Sequence, residues 1–200
     1  ALLLPAAASP GAPELKSTPP NQEIAAAIAN LDHPQFRVRE AAVRKLLLAG
    51  KDAVAPLAKV AETGSPEAAD RAWRILRDMF QNGKEEIALA ARHTIERLAQ
   101  SESPARGEAR AILRQRLDVI KEKLQSAGAR LLGDEESIHT IDLDEVKELV
   151  AVLPLLREFP DVDEISISNK QFDDAGMKHL LPLKGLKRLN LFMSNVGDEG

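Results

Sequence analysis

The stretch that decides the fold is Leu186-Lys187-Arg188-Leu189-Asn190-Leu191, read beside Val162-Asp163-Glu164-Ile165-Ser166-Ile167. Both put apolar residues at x, x+3 and x+5, and Ile138, Ile141 and Leu143 do so once more. Each set lies 24 residues from the next. The agreement extends between the sets. Leu153, Leu156 and Phe159 match Met177, Leu180 and Leu183 at that offset, and Phe172 and Gly176 match Val196 and Gly200. Self-similarity at a fixed period marks a stacked array, because one such unit cannot bury its apolar face alone.

In a strand, side chains alternate between faces, so residues between the apolar ones face outward. This alternation predicts three columns on an open face: Thr140/Glu164/Arg188, Asp142/Ser166/Asn190 and Asp144/Ser168/Phe192. The stretch from Asp174 to about Leu181 predicts a helix on the opposite side, with Asp174 and Asp198 at equivalent positions as capping carboxylates.

The segment from Ile165-Ser166-Ile167 through Phe172-Asp173-Asp174-Ala175-Gly176-Met177 resembles the Asp-x-Gly leucine-rich repeats common in bacteria. So does its partner, from Leu189-Asn190-Leu191 through Val196-Gly197-Asp198-Glu199-Gly200. Arg130-Leu131-Leu132-Gly133 is similar to the usual lead-in to such an array. The resemblance covers about 128–200, and Glu145-Val146-Lys147-Glu148 departs from it by lacking the Asp-x-Gly segment. It implies an α/β leucine-rich-repeat solenoid whose concave strand face meets a partner. The sequence stops at Gly200, where a further helix is due, so it reads as a fragment truncated at that end.

Upstream the period is helical. Ile24, Ala27, Ile28 and Leu31 fall at i, i+3, i+4 and i+7. Similar stripes run through Val38–Ala49, Val54–Ala61, Ala69–Phe80, Ile87–Leu98 and Ala111–Leu124, with Trp73 on one of them as a core residue. Asp32-His33-Pro34, Ser65-Pro66 and Ser103-Pro104 read as helix starts, and Gly50, Gly64 and Gly83 as stops in the left-handed conformation. The run Leu31-Asp32-His33-Pro34-Gln35-Phe36-Arg37-Val38-Arg39-Glu40-Ala41-Ala42, with Leu46, Gly50, Ala53, Leu57 and Arg71-Ala72, resembles HEAT-like repeats of bacterial proteins over about 31–126. The fold class expected is therefore an α-helical hairpin (HEAT-like) array joined to an α/β leucine-rich-repeat solenoid.

The chain opens Ala1-Leu2-Leu3-Leu4-Pro5-Ala6-Ala7-Ala8-Ser9, a short apolar run followed by small residues. That pattern reads as a signal-peptide remnant over 1–8 and an exported location: periplasmic, envelope or secreted. Residues 9–20 are rich in Pro and small polar residues and read as a flexible linker. The expected domains are a helical one at 21–127 and a leucine-rich one at 128–200.

Composition narrows the chemistry. There is no Cys, hence no disulfide, thiol nucleophile or cysteine-ligated zinc. Residues 21–126 hold 18 Lys+Arg against 15 Asp+Glu, while 127–200 hold 8 against 15, an acidic balance that argues against a nucleic-acid surface. His33, His93, His139 and His179 lack metal-ligand spacing, no phosphate-binding Gly loop occurs, and Asp173-Asp174 has no accompanying base or nucleophile. The basic residues of 106–123 alternate with acids, as on a solvated helix face. No catalytic, cofactor or metal residue and no cofactor is expected.

The resulting expectation is a non-catalytic scaffold for protein–protein or protein–ligand recognition, its surface the nine column residues, with Phe192 beside Arg188 as anchor pair. Two alternatives stand beside it: the non-catalytic arm of a longer envelope enzyme or signalling protein, and a structural spacer of the cell envelope.

Overall fold

The computed structural model describes residues 20–134 and 137–200. The signal-remnant reading of 1–8 and nearly all of the linker reading lie outside them; Pro20 already begins the first helix. The described residues are mostly helical, with one small four-stranded mixed sheet. They fall into two compact units that divide between Ala109 and Arg110.

In the first unit, α1 (Pro20–Ala29), α2 (Phe36–Ala49), α3 (Lys51–Thr63), α4 (Pro66–Asn82) and α5 (Glu85–Gln100) follow one another with short connections, and α6 (Arg106–Ser126) begins. From α1 to α5 each helix packs on the next, α3 also touches α1 and α5, and α2 touches α4, so these helices form an array. The stripes of α1 to α5 supply its core, whereas the one expected on α6 is displaced: Ala111 is exposed and Ile112 beside it is fully buried. Leu31, Leu46, Leu57, Leu76, Ile95 and Leu98 are fully buried, and Trp73 lies among the buried residues of α4. Burying a side chain of this size stabilises by about 1.5–3 kcal/mol.

The helix punctuation is less uniform than the sequence suggests. Ser65 behaves as expected: its Oγ accepts the Ala68 amide at 3.2 Å, with Pro66 opening α4. Pro34 instead precedes α2 by two residues, and its carbonyl and that of His33 accept the Arg39 guanidinium at 2.9 and 2.8 Å. Pro104 likewise precedes α6. Of the three glycines, only Gly50 has a positive φ, 57°. Gly64 is extended, and what excludes a side chain there is the Val60 carbonyl, 2.6 Å from where a Cβ would sit.

The second unit holds the sheet, in the order β1 (Arg130–Gly133), β2 (Ile138–Asp142), β3 (Glu164–Ser166), β4 (Arg188–Asn190). β1 and β2 are antiparallel; β2, β3 and β4 are parallel. The register pairs Ile141 with Ile165 and Ile165 with Leu189, so the 24-residue period is the strand-to-strand step. Register is set strongly wherever one face is buried, since a slip of one residue would turn the apolar set to solvent. Ile141, Leu143, Ile165, Ile167 and Phe172 are fully buried. β2 leads to β3 through α7 (Leu149–Val152) and a 3-10 helix (Leu153–Glu158), and β3 leads to β4 through α8 (Asp174–Met177).

Three expectations shift here. α8 is four residues long rather than reaching Leu181. Its capping side chain is Asp173, whose Oδ1 accepts the Gly176 amide at 3.0 Å, and not Asp174. The compact units divide at 109/110 rather than 127/128, because Ile120 and Leu124 of α6 belong to the same core as Ile141, Leu143 and Val146. Among the described residues no helix is long and apolar enough to cross a membrane.

Candidate functional site

The core covers one face of the sheet, and the strand residues between the apolar ones look the other way. Register brings the expected columns together. Thr140 stands opposite Glu164 and Glu164 opposite Arg188; Asp142 stands opposite Ser166 and Ser166 opposite Asn190. Asp144, Ser168 and Phe192 lie just past the strand ends.

Most of the polar groups of these columns are bonded within the face. Arg188 grips Glu164 Oε2 through Nε at 2.9 Å and Nη2 at 2.7 Å. Asn190 Nδ2 donates to Ser166 Oγ at 3.1 Å, and Ser166 Oγ donates to Asp144 Oδ1 at 3.0 Å. Asp144 Oδ1 also accepts the Ser168 amide at 2.7 Å. Asp142 Oδ1 accepts the Asp144 amide at 3.0 Å, and Asn190 Oδ1 accepts the Phe192 amide at 3.1 Å. The two Asx contacts turn the chain out of each strand, the local role such side chains play beside free backbone N–H groups. Much of the polarity of this face therefore fixes the turns relative to one another.

What projects without such a role is apolar. Phe192 is 69% exposed, and Met193 beside it is exposed with φ 58°. At the other margin Leu132 of β1 is exposed, opposite Thr140. The face is thus a polar, internally bonded floor with apolar side chains at its two margins.

Two elements of the face were not foreseen. β1 adds Arg130, which forms an ion pair with Asp142 and is held strongly protonated by that carboxylate. A fourth column, His139, Asp163 and Lys187, runs beside the first. Lys187 Nζ meets Asp163 Oδ1 at 2.8 Å, and His139 Nδ1 lies 3.9 Å from Asp163 Oδ2. The Lys187 ammonium holds the Asp163 carboxyl below the usual range, with His139 and Arg188 adding to the effect. The three-residue gap from Ile138 to Ile141 breaks strict alternation, which hides this column from a two-residue period. Its signal is the 24-residue spacing itself.

Elsewhere, His33 Nδ1 accepts the Gln35 amide at 3.1 Å, a turn contact. Burial, helped by Lys178 and Arg157, lowers the pKa of His179. Among the described residues no three His, Asp or Glu side chains gather as a metal ion would need. An apolar groove of about 500 Å³ lies between α1 and α3, lined by Ile24, Ala25, Ile28, Pro56 and Val60.

Compared with protein-family models, with curated proteins and with solved structures, the chain matches none.

Proposed function

We propose that this chain is a non-catalytic recognition scaffold, a HEAT-like helical array followed by a leucine-rich-repeat solenoid, which binds a protein partner through the open face of its sheet. The observation that carries the reading is the exposed Phe192 at the margin of three columns in which Glu164 is bonded to Arg188, and Ser166 to Asp144 and Asn190. A pre-bonded floor holds its shape on binding, and pre-organisation lowers the entropy cost of association. An exposed aromatic anchor supplies the contact area on which hot spots rest. The apolar run Leu2-Leu3-Leu4 followed by Ala6-Ala7-Ala8 supports the further reading that the scaffold acts in the cell envelope or outside it.

The test is site-directed photo-crosslinking in the source cells. A photoreactive phenylalanine analogue is placed at Phe192 and, as a control, at Leu48, an exposed residue of α2. A discrete adduct from position 192 that is missing from position 48 is the expected result. Identical adducts from both positions, or none from either, would overturn the reading and leave the spacer role.

A further inference from the structure

We propose that the groove between α1 and α3 binds a free medium-chain aliphatic carboxylate, with its tail along the groove and its head on Lys59.

The lining sets the tail. Ile24, Ala25, Ile28, Pro56 and Val60 enclose about 500 Å³. Ile24 is buried, Ile28, Pro56 and Val60 are half-buried and Ala25 is exposed, so the walls present an open apolar strip. Pro56 lies inside α3 and brings a ring with no N–H. The Thr63 hydroxyl donates to the Lys59 carbonyl at 2.9 Å and so is already bonded within its own helix. The strip thus offers little to a polar chain, while an aliphatic one gains by leaving water.

The rim sets the head. Among the described residues Lys59 is the one charged residue that lines the groove, and no carboxylate does. Lys59 is exposed and enters no ion pair among the described residues. A lysine stem lies along apolar surface while its ammonium stays in water, which places a cation where the tail ends.

Length sets the class of ligand. The groove runs from Asn21 to Ile28 on α1 and from Pro56 to Gly64 on α3. At ~1.5 Å per residue that is roughly 10–12 Å. The chain of a membrane lipid spans about 15 Å, half of a ~30 Å hydrocarbon core, so a shorter tail fits. A protein partner needs about 800 Å² from each side, far more than two helical turns of groove present. A volume of about 500 Å³ lies in the usual range for a small ligand.

The other gap in the same layer is closed. α3 and α5 are tied at both ends, by Lys51 Nζ on Glu86 Oε1 at 2.8 Å and by Arg97 Nη1 near Glu62 Oε1 at 3.8 Å. No ion pair joins α1 to α3 among the described residues.

The test uses the 200-residue chain. Calorimetric titration with hexanoate, octanoate, decanoate and dodecanoate, each below its micelle concentration, gives affinity against chain length. The expected result is a single saturable site. Its affinity rises by up to about fourfold per methylene, the fold-change of ~0.8 kcal/mol, and levels off beyond decanoate. Decyltrimethylammonium should bind several-fold more weakly than decanoate, and Lys59→Glu should reverse that order. Ala25→Phe, at an exposed position, fills the groove and should abolish decanoate binding with the circular dichroism unchanged. Equal affinity for the two head groups, affinity that keeps rising with chain length, or unchanged binding by Ala25→Phe would overturn the proposal. Uptake by phosphatidylglycerol vesicles without binding of the free acids would overturn it in favour of a membrane contact. Self-association that Ala25→Phe removes would overturn it in favour of a second copy as occupant. The groove lies in the first unit, so none of these outcomes bears on the crosslink at position 192.

Discussion

The Asp174 carboxylate accepts the Gly197 amide at 2.7 Å, one repeat further along the chain. Its neighbour Asp173 caps α8 within its own turn. Two adjacent carboxylates thus divide the work, one local and one between turns. Asp173→Ala is expected to cost about 1 kcal/mol as a lost helix cap. Asp174→Ala is expected to speed exchange at the Gly197 amide with a smaller loss of stability. Urea titration followed by circular dichroism, with exchange at Gly176 and Gly197, separates the two.

A second prediction concerns Phe172, fully buried beneath α8. A Cβ at Gly176 would sit 2.8 Å from its ring. Gly176→Ala is therefore expected to destabilise by about 1–3 kcal/mol, the usual range for overpacking. Phe172→Leu in the same chain should recover part of that loss. A double-mutant cycle that came out additive would show that the ring is not what excludes the methyl group.

In the first unit, Ser65 does two things. It accepts the Ala68 amide, and its hydroxyl donates to Asp32 Oδ2 at 2.9 Å. Ser65→Ala is expected to cost about 0.5–2 kcal/mol, as lost caps do. Asp32→Ala removes only the second contact and should cost less than half as much by thermal unfolding.

Exchanging the charges of the exposed Glu164–Arg188 pair tests how much of the register they hold. Either single reversal, Glu164→Arg or Arg188→Glu, is expected to cost up to about 1 kcal/mol, the scale of surface ion pairs. The double reversal should restore the midpoint of urea unfolding to near that of the parent chain.

The pH dependence of the second unit follows from Asp163, whose carboxyl is held below its ordinary value first by the Lys187 hydrogen bond. A depressed folded-state pKa contributes stability that is present above the unfolded value, about 3.9, and is lost as pH falls through the folded one. Asp163→Asn should therefore lower the urea midpoint at neutral pH, and the difference should disappear once the pH has fallen through the folded-state value. An equal effect of the substitution at both ends of that range would count against the ion pair as its cause.

The residues explain which of these features could be read beforehand. The strand register was legible because Ile141, Ile165 and Leu189 must face one core, and a period of 24 leaves one way to stack them. The columns of the open face followed from the same constraint. The division between Asp173 and Asp174 was not legible, since either carboxylate lies within reach of a free amide by sequence distance alone. Nor was the allegiance of Ile120 and Leu124: an apolar stripe on α6 looks the same whichever core receives it. The bonding of Ser166 to Asp144 and of Arg188 to Glu164 depends on rotamers, which a sequence period does not carry.

Trp73 is the only tryptophan, and the chain has no tyrosine. It is buried in α4, within the first unit. Intrinsic emission excited at the red edge of the protein band therefore reports on the helical array alone, and the sheet is optically dark. Followed together during unfolding, fluorescence and the far-ultraviolet signal would trace one curve if the two units melt as one and two curves if they melt apart. The chain thus carries its own built-in label for asking whether its halves are thermodynamically coupled.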